Sequence, residues 1–496
     1  MKALNCALFL LVSALATAEP DYAITDLLTA STTTNSRSTE WKPGQGITLE
    51  VSGMDWLPDG RLAVAIRKGE VWIVGNPHAE KAADVTFKLF ASGLHEPLGL
   101  RVDGDSLLVT QRTEVTRLRD VNGDGVADEY LTDASGWNVS GAYHAYAYGP
   151  KKDRQGNEWM TLNLDMGDRT DNTKGWRGWA VIKGPNGTII PMSAGFRSPC
   201  GLGTNSEGDM FTVDQQGTWI PATPVFHLRK GIFALNPEGI DSQNLPGSPL
   251  KLSAPVPNKV PYPEALKAVP QMVPPALWLP YNKAGRSGTD IVAIDAGGKF
   301  GPFDGQILVA EFTDAKLHRG FLEKVDGEYQ GAVFPFLGGF ASGIVRLSFS
   351  KEGDLFVGMT SRGWSSLGTR AYGLQRVHWK GTTDFAIKEM RAKPDGFELV
   401  FTEPVDPKTA GAISSYKMNS FTYLYSSAYG SEEIDTQAHE ITAAAVSADG
   451  LSVRLSVKGL RPVYVHELFA EGITSAKGDK LTHPAAWYTL NRIPKS

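Results

Sequence analysis

Six times along the chain, a short apolar strand is followed by a turn that sets Gly beside Asp, Glu or Asn, and then by a second alternating strand. The first instance is Gly53–Val74, GMDWLPDGRLAVAIRKGEVWIV, and the others begin at Gly99, Tyr146, Gly201, Asp290 and Ile344. Their spacing is roughly 45 to 55 residues, with one gap near 90. A two-stranded unit cannot bury its own apolar faces, so repeats of this length stack as blades around a common axis. The pattern predicts an all-β chain built on a six-bladed β-propeller. Such a fold gathers chemistry at one end of a central channel, which makes the residues meeting there guessable.

The remaining organisation follows from composition breaks. Residues 1–18 read as a secretory signal: Met1-Lys2, an apolar run from Ala7 to Leu15, then Ala16-Thr17-Ala18. No later segment is long and apolar enough to span a bilayer. A periplasmic or secreted destination is therefore expected. Cys6 would leave with the signal, so Cys200 has no partner for a disulfide and reads as a small core residue. The propeller is expected over 19–382, with a strand in the polar lead-in 19–50 closing the ring. The Pro-rich stretch 236–280 accounts for the wide gap, either as a lid or substrate-selecting wall or as a surface excursion. From 383 to 496 the alternating runs Phe397–Phe401 and Leu451–Val457, with an Asp449-Gly450 turn, predict a small immunoglobulin-like sandwich. A formal net charge of −5 and no basic block argue against nucleic acid.

Two sets of positions face the upper channel. Strand heads supply His95, Glu96, His144, Arg197, Ser198 and Arg286. Exit loops of the second strands supply Arg67, Lys68, Gln111, Arg112, Asp165, Asp214, Gln215, Glu311, Asp314 and Lys316. A funnel of His, Arg, Lys and carboxylates suits a polar, partly anionic ligand. His144 either caps a stack of tyrosines or acts as a general base, with Asp165, or Asp168 as second choice, fixing its tautomer. Arg197 either clamps a carboxylate or holds a neighbouring loop. Asp120, Asn122, Asp124 and Asp128 have the spacing of a calcium loop, without the Glu that would complete one at Leu131. The alternative for this segment is a well-formed hairpin turn.

The runs GLHEPLGL from Gly93, LRDVNGDGVADE from Leu118, GFRSPCGLG from Gly195 and VDQQGTW from Val213 resemble the glucose/sorbosone dehydrogenase-like propellers. The resemblance is to their secreted bacterial branch, often joined to haem-binding modules, and SAYGS from Ser427 and YTLNRIP from Tyr488 extend it to the C-terminus. It implies a quinoprotein that binds pyrroloquinoline quinone with calcium and oxidises a sugar or polyol. His144 and Asp165 would then be the base and its partner, and Arg197 the catalytic-site arginine. Arg197, Lys316, His95, Gln111 and Arg286 would contact the cofactor. In the sixth repeat Gly343 and Val345 stand where the family places two arginines, with Arg346 out of step. No Cys-x-x-Cys-His occurs, so electrons would pass to a separate, cytochrome-type acceptor. Two other readings remain open: a non-catalytic carbohydrate- or protein-binding propeller, and a calcium-dependent lactonase-type hydrolase.

Overall fold

A computed structural model describes residues 21–28, 32, 49–166 and 175–495. The expected signal at 1–18, most of the polar lead-in and Asp168 lie outside the described residues.

The repeated segments fold as antiparallel sheets. The first sheet is Val51–Trp56, Leu62–Ile66, Glu70–Gly75 and Thr86–Ala91, paired in chain order. The second runs from Leu100–Asp103 to Glu129–Ser135 and the third from Ala147–Lys152 to Ile189–Ala194. The fourth begins at Gly201–Thr204 and takes its last strand, Leu277–Leu279, from the end of the 236–280 stretch. The fifth begins at Gly288–Ala293, and Ile344–Phe349 opens the last. Tyr22–Asp26 pairs antiparallel with Tyr372–Trp379, at the place expected of a ring-closing strand. Each sheet's first strand packs on the first strand of the next, and Ile344–Phe349 returns to Val51–Trp56. This closed ring of antiparallel sheets is the arrangement of a β-propeller.

Local sequence explains the units. Leu62–Ile66, LAVAI, is buried along its whole length because sheets cover both of its faces. Gly60 and Gly353 sit at positive φ, 86° and 96°, in the turns between first and second strands, where a side chain would be strained. Close approach of inner strands also demands glycine: a Cβ on Gly99 would run into the carbonyl oxygen of Gly149. Carboxylates stitch neighbouring sheets together. Asp55 accepts from the Val102 amide at 2.7 Å, and Asp290 accepts from the Leu347 amide at 2.8 Å.

The C-terminal region forms two facing sheets. One comprises Ile387–Lys393, Gly396–Phe401, Ser452–Val457 and Ile441–Val446. The other comprises Lys417–Tyr425, Tyr464–Phe469 and Ala485–Leu490, with Glu433–Ala438 alongside. Phe397, Leu399 and Leu455 meet Leu468, Ala486 and Tyr488 in the core between them. This second sheet does not stop at the expected boundary. Ala485–Leu490 pairs with Glu328–Leu337, so the fifth propeller sheet continues into the C-terminal region. The insertion is neither lid nor loose excursion: Val260–Pro261 pairs with Lys417–Tyr425, and Tyr262 packs against Trp278 and Tyr425. It wedges the two regions together.

Candidate functional site

The ring encloses a cavity of about 420 Å3 at one end of the channel. Its wall includes Arg67, Arg197, Arg286 and Arg362, together with His144, Asn163, Gln215 and Gln216. Among the described residues, no Asp, Glu or Lys lines it.

Beneath the cavity, one side chain ties the inner strands together. Arg346 is buried and reaches across the channel axis. It donates to the carbonyls of Ser52 at 2.9 Å, Leu98 at 2.6 Å, Thr289 at 3.1 Å and Val345 at 2.7 Å. Its guanidinium also lies 3.9 Å from the Cys200 sulfur and 5.6 Å from the centre of the Tyr148 ring. It thus touches all the inner strands or the residues that lead into them. Cys200 is a small buried residue beside this guanidinium, and burial pushes its thiol up.

The arginine loops are held from below by carboxylates. Asp214, after the strand Met210–Val213, accepts from the amides of Arg197 at 2.7 Å, Ser198 at 2.6 Å and Gln215 at 2.7 Å. Burial raises its pKa to about 6 against these amides. Glu311 repeats the device one sheet on, accepting from the amides of Arg286 at 2.9 Å, Ser287 at 2.6 Å and Asp314 at 2.5 Å. Both had been read as funnel groups. They face backbone instead, and their charge is spent on presenting arginines.

His144 is half-buried at the wall, with the Tyr143 ring edge-on at 5.2 Å. Burial lowers its pKa, and the guanidinia of Arg197, Arg112 and Arg67 lower it further. It is therefore held neutral and proton-accepting. Arg67 lies 4.9 Å over the Tyr146 ring and donates to the Tyr143 hydroxyl at 3.0 Å. Arg197 lies 5.0 Å from the centre of the Tyr429 ring, and Tyr429 comes from the C-terminal region. The Nε of Arg197 and the Oδ1 of Asn163 are buried without a hydrogen-bond partner, while the Nε of Arg286 lies 3.6 Å from the Asp314 carboxylate. Such orphaned groups in a cavity wall suit a polar ligand.

The structure brings His144, Arg197 and Arg286 together. It does not bring Asp165 to this wall. Asp165 is buried, accepts no hydrogen bond among the described residues, and interacts with the buried Arg177. His95 is exposed, and its amide is capped by the Gln111 side chain, which itself donates to Thr116 at 2.6 Å. Lys316 pairs with Asp314 at 3.0 Å. None of these three lines the cavity. Sequence reasoning missed Arg362, although it stands on the exit loop of the sixth repeat, the offset that had singled out Arg67 on the first. It also missed the aromatic residues Tyr143, Tyr281, Trp364 and Tyr429.

The Asp120–Asp128 segment folds as a self-bonded turn between the strands Glu114–Arg119 and Glu129–Ser135. Both oxygens of Asp120 accept from amides of its own turn, Gly123 at 2.8 Å and Gly125 at 2.7 Å. Asn122 and Asp124 cap the amides two residues on, and Asp128 accepts from Val121 at 2.8 Å. The cation at this loop is the Lys88 ammonium, 2.6 Å from the Asp124 carbonyl. Among the described residues, no three His, Cys, Asp or Glu side chains converge as a metal site.

No protein-family model matches the chain, and no curated protein matches it. Solved structures do. The PQQ-bound aldose sugar dehydrogenase of Streptomyces coelicolor is 13% identical, covers 73% of this chain and 99% of its own, and has a TM-score of 0.47. The PQQ domain of pyranose dehydrogenase from Coprinopsis cinerea is 14% identical, with 73% and 96% covered and a TM-score of 0.47. The apo soluble aldose sugar dehydrogenase of Escherichia coli is 11% identical, with 72% and 100% covered and a TM-score of 0.45.

Proposed function

We propose that this chain is a six-bladed β-propeller with a C-terminal immunoglobulin-like sandwich, and that it oxidises a hydroxyl of a sugar or polyol using pyrroloquinoline quinone. One observation carries the reading: among the described residues, four arginines and a neutral histidine line one cavity, and no carboxylate stands on its wall. The donor set fits a planar polycarboxylate. Arg197, Arg286, Arg67 and Arg362 would hold its carboxylates, Asn163 and Gln215 its remaining polar edge. When bound, the quinone supplies the two-electron acceptor that an alcohol needs. His144 takes the hydroxyl proton, since burial and three guanidinia keep its ring unprotonated. Arg346 closes the channel beneath and limits water entry from that side.

Among the described residues the wall offers calcium no carboxylate, so its protein ligands there would be the amide oxygens of Asn163, Gln215 and Gln216 and backbone carbonyls. The same lack weighs against a calcium-dependent lactonase. Electrons would leave to a separate carrier, and the candidate signal at 1–18 would place the protein outside the cytoplasm. The test is titration of the purified protein with the quinone, followed by absorbance and by thermal midpoint. A saturable spectral change with a raised midpoint is expected. Neither change at millimolar quinone would leave a cofactor-free binding protein.

A further inference from the structure

Four of the five exposed aromatic side chains of the described residues line the mouth of this one cavity. They are Tyr143, Tyr281, Trp364 and Tyr429, exposed by 50%, 40%, 56% and 57%; only Tyr130 stands elsewhere. They come from four separate places: the loops before the third and fifth inner strands, the exit loop of the last sheet, and the C-terminal region. Exposed aromatic rings gathered at one mouth signify a binding surface rather than chance.

The rings are presented on held loops. On either side of Trp364, the Arg362 amide bonds to the Thr360 hydroxyl at 3.0 Å and the Leu367 amide to the Thr313 carbonyl at 2.7 Å. Around Tyr429, the Gly430 amide bonds to the Gly217 carbonyl at 2.9 Å. Trp364 also stands where the cavity passes into a second, shallower groove. Ser361, Ser365, Ser366 and Thr369 line that groove, so hydroxyls follow the aromatic platform.

We propose that the mouth is an extended saccharide site. It holds several rings of one oligosaccharide, with Trp364 as the platform between the reacting position and the hydroxyl-lined groove, and Tyr429 as the wall supplied by the C-terminal region. This rests on the reading above for the sugar at the reacting position. The chemistry matches on both sides. A sugar ring offers an apolar C–H face to an aromatic ring and hydroxyls at its edge. Beside the rings stand the amides of Gln215 and Gln216 and the hydroxyl of Thr313. An apolar protein or lipid partner would not meet rings interrupted by Arg286 and Arg362. A net charge of −5 disfavours nucleic acid, the other ligand that stacks on such rings.

The experiment is calorimetry of the intact, quinone-free protein with chains of one to five sugars in three series: α-1,4-glucan, β-1,4-glucan and α-1,4-galacturonan. At least one series should tighten by about tenfold or more between one and four sugars. In W364A that gain should disappear while monosaccharide affinity stays within about twofold, and Y429A should reduce it. No gain with chain length in any series, or a full gain in W364A, overturns the proposal. Quinone absorbance is read separately. Chain-length dependence without quinone binding would remove the oxidase reading and keep the saccharide site, and the reverse result would do the opposite.

Discussion

At the residue scale, the same side chain type does opposite work a few ångströms apart. Arg346 spends its donors on backbone carbonyls of four inner strands, whereas the Nε of Arg197 is left for something else. Arg346→Met should leave several buried carbonyls unpaired and cost about 3 kcal/mol or more, read as a shift in the denaturant midpoint. His144→Gln separates catalysis from packing. Glutamine keeps much of the volume and polarity, so the thermal midpoint should hold, while turnover falls about 10²- to 10⁴-fold. Because burial and arginines lower the His144 pKa, the acid limb of the wild-type rate profile should lie below pH 6.5, the ordinary histidine value. His144, Arg197 and Arg286 were legible in the sequence because each heads an inner strand of a repeat. The Asp165 partnership was not. Its neighbour Arg177 lies in a segment with no repeat signal, and the pairing exists only once the third sheet is folded.

At the element scale, the repeat unit carries a device that the sequence half revealed. The acidic residue at the end of the second strand was visible at a fixed offset, in Val213-Asp214 and in Ala310-Glu311. What it does was not, because an exposed ligand-binding carboxylate and a buried loop-holding one look alike in one dimension. Hydrogen-bonding to three amides decides between them. Asp214→Ala should therefore act through the Arg197–Ser198 loop. It should weaken ligand binding by about tenfold and leave the rate at saturation within a few-fold, a KM effect rather than a kcat effect. Asp214→Asn, which keeps an acceptor, should recover part of the loss. The Asp120–Asp128 turn teaches the same lesson in reverse. Its spacing suggested a metal, and the Lys88 ammonium, from the adjoining sheet, had no sequence signature linking it to that loop.

At the scale of the whole molecule, the sheet-forming pattern located each repeat but said nothing of how the halves join. The Ala485–Leu490 strand reads like any half-buried strand, yet its partner Glu328–Leu337 lies about 150 residues earlier. A fragment of 384–496 alone would expose that edge, together with the face of Trp487. It should aggregate or fold only when the remainder is co-expressed, checked by its solubility and circular dichroism. The joined sheets also bury histidines. His318 lies in the fifth sheet, His466 in the C-terminal extension of that sheet, and His227 in the fourth. Burial lowers their pKa values to about 3, 3 and 4 respectively. Neither nitrogen of His318 has a partner, so protonation there meets no compensating acceptor. The sign follows from linkage. An unfolded histidine takes up its proton near pH 6.5 and the folded ones do not, so the neutral native state is favoured fully above 6.5. As pH falls from 6.5 towards 4, each of these histidines withdraws up to about 1.4 kcal/mol of stability per pH unit. The thermal midpoint should therefore drop steeply over that window, and His318→Gln should make the curve shallower even if it lowers the midpoint at neutral pH. An unchanged slope in that variant, measured by scanning calorimetry at half-unit pH steps, would remove His318 from the acid response.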